Sequence, residues 1–315
     1  DFMNGWGLTS WQIFAAVAPA AKLLGLTPEQ VNQAFGFGAL CCPIQSQLHH
    51  ITMSDAYHYE HGFRTKDGIL CALTAQAGVD NYMDVFDDPY SWDYHMCPHP
   101  KHDWYTKDLG RYWLTNETLL KHWPANMWVQ TTAEVVYNLT HENHISPEEI
   151  EEIIVDPPVF ERMWAPDEGF TSVTHAQFSI PFVVASMLRD PHPGAHWYTP
   201  EKMKDPDTIA LAKRIHSGPS PMDSPMTGFT MFRSDTGAYP VKHITIRLKD
   251  GREYEDTMSY HPGHPRNMMS REQFVERFRV QAAPVLQGER LEKAINLLCS
   301  IENVEDIASI ADALF

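Results

Sequence analysis

Residues 243–259, HITIRLKDGREYEDTMS, constrain the fold more than any other string in the chain. Ile244, Ile246 and Leu248 alternate with polar neighbours, the period of a strand buried on one face. Asp250-Gly251 is a tight-turn pair, so the segment reads as a β-hairpin. The ends of the chain read differently. Residues 10–24 carry an apolar helical pattern, with Pro19 expected to kink it and Gly25 to stop it. Thr27-Pro28-Glu29-Gln30 is a capping box with proline at the first helical position. The helix it opens is expected to weaken at Gly36 and Gly38.

Residues 54–78 organise the first part of the chain. Ile69, Leu70, Ala72, Leu73 and Ala77 recur at helical spacing and Gly78 is a natural stop, which predicts a helix over 63–77 with a core-facing body. Its polar approach contains Tyr57, His58, Glu60 and His61, groups able to move protons at the mouth of a packed helix. Residues 79–118 read as a long ordered loop with short helices. His95, Cys97, His99 and His102 within it are zinc-ligand types. Pro98 and Pro100 stiffen the segment and the spacing fits no zinc pattern, so it reads as a surface loop with no metal site.

Residues 119–138 begin LLKHWPANMWVQ and are expected to continue as a helix through Thr131, Val135 and Val136, with Lys121, which precedes Trp123-Pro124, just ahead of that helix. A cation beside outward-pointing helix amides would make a carboxylate-binding corner. Beyond residue 138 the pattern mixes strand and helix. A capped turn at 146–149 leads into a strand ending at Pro157, an apolar helix covers 176–188 with Pro181 in or near its first turn, and a helix from Asp205-Pro206 runs through Ile215. Residues 217–240 read as a loop. Ser270-Arg271-Glu272-Gln273 is a second capping box, and two further helices are expected over 291–298 and 304–314. The fold class is α+β. A mainly helical domain (1–139 and 263–315) carries an inserted α+β lid domain (140–262) with a small antiparallel sheet.

Apolar residues make up 43% of the 315, enough for a real core, and no run of 18 apolar residues predicts a membrane span. A net charge of −17 argues against nucleic acid and anionic membranes as partners, though a local basic site for a small anion remains compatible with it. Five cysteines without framework spacing read as reduced thiols, which places the chain in the cytoplasm.

Seven strings in order resemble the MmgE/PrpD family of 2-methylcitrate dehydratase and cis-aconitate decarboxylase. They are AAVAPAAKLLGLTPEQVNQAFGFGAL, the Gly62-to-Gly78 segment, LKHWPA, HISPEEIEEIIVD, AQFSIPFVVASML, ITIRLKDGREY and HPGHPRNMMSREQFVERF. The resemblance implies a helical domain with an α+β lid. It also implies a lyase or isomerase that removes a proton next to a carboxyl group of a small organic (hydroxy)acid, without cofactor or metal. Glu60 or His61 would act as base or acid, assisted by Tyr57 and His58. Lys121, a catalytic position as well, would bind the substrate carboxylate or steady the enolate, His175 would close over the substrate, and Gln47 would bind it. In the family's K-x-x-H-x-G segment, Tyr57 stands for the lysine and Glu60 for the histidine. The resemblance further implies a family N-terminal third absent from this sequence. A second polypeptide supplying it, and a dimer or higher oligomer, are the expected partners. The alternative reading is a non-catalytic partner subunit of such a complex.

Overall fold

A computed structural model describes residues 9–42, 52–87, 91–95, 99–157, 166–220 and 241–315. By internal contacts the chain divides into two units. The first is residues 1–113 with Ser172–His175; the second is Leu114–Thr171 with Ala176–Phe315.

The first unit is built on three mutually packed helices, α1 (Gln12–Leu23), α2 (Pro28–Cys41) and α3 (Glu60–Gln76). Thr27 caps α2 as expected, its hydroxyl accepting Gln30 N–H while Gln30 returns a bond to Thr27 N–H. Ile13, Val17, Ala34, Cys71 and Ala75 form the shared core, with Phe14, Phe35 and Phe37 packed against it. Pro19 is accommodated inside an unbroken α1, and α2 runs through both glycines. The glycines are contact points rather than weak points. A Cβ on Gly38 would press on the Phe14 ring, and one on Gly36 would meet Tyr82 O at 2.1 Å.

The α3 reading needs correction. The helix starts at Glu60, and its buried face is Gly68, Cys71, Ala72 and Ala75. Gly68 lets α1 approach so closely that a Cβ there would lie 2.6 Å from Ile13 O and from Ala16 Cβ. Ile69, Leu70 and Leu73, expected in the core, are 43%, 60% and 43% exposed. Small residues face inward because helix–helix approach is closest there; the large apolar ones form an outer stripe with Tyr59 and Phe63, three and four residues apart.

Short helices punctuate the following segment, at Trp92–His95 and Asp103–Thr106. His102 Nε2 lies 3.1 Å from Asp93 Oδ1, and Tyr105 donates to Asp93 Oδ2 at 2.7 Å. Cys97 and the His95 side chain lie outside the described residues.

In the second unit, α4 (Gln130–Glu142) packs on a sheet and on α6 (Ile180–Arg189), which follows the short α5 (Val173–Phe178). Between α5 and α6, Ser179 breaks the single helix expected over 176–188. Its hydroxyl caps Phe182 N–H, and Pro181 falls in the first turn of α6. Next, α7 (Pro206–Ala212) ends early, and Ile215 belongs to a strand.

The strands are β1 (Ile150–Asp156), β2 (Ile215–Ser217), β3 (Lys242–Leu248) and β4 (Glu253–Met258), in the order β2-β1-β3-β4. The hairpin β3–β4 forms with Gly251 at φ +89° in its turn. The sheet is mixed rather than purely antiparallel, because β2 pairs parallel to β1 with Ile153 opposite Ile215. The connection between them carries α5, α6 and α7, and three residues of strand carry too little pattern to be seen in sequence. Ile150, Ile153, Ile215, Ile244, Ile246 and Leu248 are fully buried. Three C-terminal helices, α8 (Arg271–Ala282), α9 (Gly288–Cys299) and α10 (Ala308–Leu314), close on Leu286, Leu291, Ala294, Ile295 and Ala313, and Ser270 heads α8 with the expected capping box. No helix among the described residues is long and apolar enough to cross a membrane.

Candidate active site

The structure places the sequence candidates in two groups, one in each unit. In the first unit, Asp55 organises the approach to α3. Its carboxylate accepts from Thr174 N–H at 2.8 Å, Thr174 Oγ1 at 3.0 Å and Ser172 Oγ at 3.1 Å. Partial burial opposes ionisation of Asp55, but these bonds outweigh it and hold the carboxyl below its usual range. The tie draws residues 172–175, including His175, to the turn that carries Tyr57 and His58.

Glu60, the first residue of α3, is 5% exposed. The neighbouring His61 is exposed, with Nδ1 2.6 Å from Gln12 Oε1 and Nε2 3.8 Å from Glu60 Oε1. Burial, with the Glu60 charge second, pushes the Tyr57 phenol above its ordinary pKa, so it keeps its proton. His58 stands edge-on to Tyr57, ring centroids 5.6 Å apart. Tyr57, His58, Glu60, His61 and His175 thus belong to one unit. Gln47 lies outside the described residues.

Lys121 belongs to the second unit, and its setting differs from the expected helix start. Residues 118–126 are irregular, a 3₁₀ turn covers Met127–Val129, and α4 begins only at Gln130. The Asn126 side chain takes Trp128 N–H, and Gln130 closes the loop by accepting Trp123 N–H at 2.8 Å and donating to Trp123 O at 3.0 Å. The loop is instead fastened to the 260–267 turn. Leu120 N–H donates to Gly263 O at 2.8 Å, and His261 Nε2 lies 3.2 Å from Leu120 O. Gly263, at φ +96°, is required: a Cβ would sit 2.4 Å from Leu120 O.

Lys121 is exposed, yet surrounding protein partly desolvates its ammonium and lowers its pKa, with the Arg277 charge as second cause. Desolvation also lowers the pKa of Arg277. Neither cation forms an ion pair with another described residue. In a chain with 41 acidic side chains, two partly desolvated cations, one of which feels the other's charge and neither of which pairs with another described residue, favour an incoming anion.

Sequence reasoning passed over the groups behind Lys121. His122 Nδ1 is 2.6 Å from Glu134 Oε2, and the Trp123 indole N–H donates to the same oxygen at 2.9 Å. Glu134 is 6% exposed. His261 is fully buried, and burial pushes its pKa down to about 4; repulsion from His264 and His122 adds to this, against the opposing bond to Leu120 O and the Glu134 charge. A glutamate between Ala133 and Val135 on a buried helix, and two histidines in HPGHP, were the available signals. Among the described residues, no cluster of three metal-ligating side chains occurs.

The MmgE/PrpD N-terminal domain matches residues 4–104, and the MmgE/PrpD C-terminal domain matches residues 123–301. Cis-aconitate decarboxylase of Aspergillus terreus is 22% identical over 332 residues, covering 99% of this chain and 65% of that relative. Cis-aconitate decarboxylase of Homo sapiens is 23% identical over 308 residues, covering 95% of this chain and 60% of the relative. The chain thus spans about 60–65% of the length of these curated relatives. With both family domains matched one after the other, the second over more than half of the sequence, this chain belongs to the MmgE/PrpD family.

Proposed function

We propose that the chain is a subunit or fragment of a lyase or isomerase that acts on a small organic (hydroxy)carboxylic acid by removing a proton next to a carboxyl group. The observation that carries this reading is that Lys121 and Arg277 are partly desolvated and make no ion pair with another described residue, which suits a carboxylate and the enolate-like charge that develops on proton removal. Glu60 or His61 serves as base or acid, Tyr57 and His58 assist, and His175 with Gln47 contacts substrate. The chemistry needs neither metal nor cofactor. The names of the relatives make cis-aconitate the first substrate to try. Residues 140–262 are proposed to act as a lid, and the free cysteines Cys41, Cys42, Cys71 and Cys299 suit a cytoplasmic setting.

A second reading has a specific observation behind it. The outer stripe of α3, with Tyr59, Phe63, Leu70 and Leu73 exposed, suits contact with another polypeptide, and the relatives are longer than this chain. In that reading the chain is a non-catalytic partner subunit. The experiment that separates the two is isolation of the native particle, identification of every polypeptide in it, and assay with cis-aconitate and related di- and tricarboxylates. Turnover that Lys121→Ala abolishes supports the enzyme; absence of turnover and of carboxylate binding sinks it.

A further inference from the structure

We propose that His122, oriented by Glu134, is a catalytic acid–base group acting on the proton next to the carboxylate held at Lys121. The inference rests on the lyase or isomerase reading and adds a residue that it does not use. Proton removal and proton return both need an acid–base group beside the bound carboxylate, and His122 follows Lys121 directly in the second unit.

The geometry fixes the tautomer. A carboxylate only accepts, so the 2.6 Å contact with Glu134 Oε2 requires the proton on His122 Nδ1. Nε2 is then the bare, basic nitrogen, and it makes no hydrogen bond to another described residue. The His122 side chain is 31% exposed while that of Glu134 is 8% exposed, so the imidazole faces solvent from a buried carboxylate support. The ring cannot swing freely. It lies against the Trp123 indole, centroids 4.7 Å apart, and that indole is anchored to the same glutamate oxygen. A buried acid that orients an imidazole and balances the imidazolium formed on protonation is the arrangement that general-base histidines need.

In the proposed step, Nε2 takes the C–H proton next to the bound carboxyl group. The C–H electron pair moves into that carboxyl group, whose added negative charge Lys121 and Arg277 offset. His122 becomes imidazolium beside Glu134, and later returns the proton from Nε2 to carbon or to a departing hydroxyl. The charged and titratable groups that the structure sets beside His122 are Lys121 on its own segment, Glu134 on α4 and His261 on the 260–267 turn.

The test uses the protein as isolated, with any accompanying chain, and cis-aconitate as the first probe. His122→Gln is expected to lower kcat about 100-fold or more with KM changed less than about threefold. Glu134→Gln is expected to lower kcat about tenfold or more and to shift the limb of the pH profile that reports the imidazole. Long-range ¹H–¹⁵N NMR of wild type, with His122 assigned by its loss in His122→Gln, is expected to show the Nδ1–H tautomer, a readout independent of turnover. Wild-type turnover with unchanged kcat and pH profile in a folded His122→Gln, or an Nε2–H tautomer, overturns the role of His122 while the proposed function stands. Absence of wild-type turnover with every acid overturns both.

Discussion

The amide of Leu120 donates to the carbonyl of Gly263 at 2.8 Å, and this bond helps to join the Lys121 loop to a turn more than 140 residues away in sequence. Gly263 lies so near that no side chain fits between it and Leu120 O, and its positive φ disfavours one in any case. Gly263→Ala is therefore expected to destabilise the protein by about 1–3 kcal/mol and to weaken carboxylate binding at Lys121 as the loop shifts. Urea unfolding, with calorimetric titration of citrate, checks both; an unchanged midpoint would contradict the close approach.

Lys121→Ala and Arg277→Ala are each expected to raise the Kd for a tricarboxylate about tenfold, equivalent to about 1.4 kcal/mol per site. The paired cations act on one anion, so the double variant should lose less than the sum of the two single losses. Fluorescence or calorimetric titration of all four proteins decides it, and additive losses would place the two residues in separate sites.

Acid should weaken the protein through His261 before its carboxylates titrate. In the fold this histidine has a pKa of about 4, against an ordinary 6.5 in the unfolded chain. The unfolded chain therefore binds more protons between these values. Stability from the neutral buried ring is complete above about pH 6.5 and is lost as pH falls towards about 4, by a few kcal/mol at most. Urea midpoints from pH 7 to pH 4.5 should fall in wild type and fall less in His261→Gln, which keeps a donor for Leu120 O. Asp55 and Asp93, held below 3.8, act in a lower window: their contribution is present above 3.8 and is lost below it.

Gly68→Ala is expected to cost about 1–3 kcal/mol, because α1 backbone lies 2.6 Å from the new Cβ and must move. Gly62, on the same helix with open space around it, should tolerate alanine to within about 0.5 kcal/mol. Thermal unfolding of the two variants side by side tests the packing direction of α3.

The outer stripe of α3 gives the opposite expectation. Phe63→Ser with Leu70→Ser should change the stability of the isolated chain by less than about 1 kcal/mol, since both side chains are more than half exposed. The same pair should reduce the native mass if another polypeptide covers the stripe. Light scattering after size-exclusion chromatography checks this, and an unaltered mass would leave the stripe as plain surface.

Local chemistry decided what the sequence made legible. The capping boxes at Thr27 and Ser270 and the Asp250-Gly251 hairpin are satisfied within four to six residues, so their signals survive without knowledge of the fold. Lys121 stood out because its string carried the family resemblance, and Tyr57, His58, Glu60 and His61 because they crowd one helix mouth. The tertiary structure alone decided which face of α3 is buried, since apolar period marks two faces equally and close packing selected the small residues. It alone set β2 parallel to β1, because three residues carry no register. It alone brought Glu134 to His122 and Gly263 to Leu120, contacts spanning 12 and 143 positions. A side chain's chemistry is written in the sequence, but its partner across the fold is fixed only when the chain closes on itself.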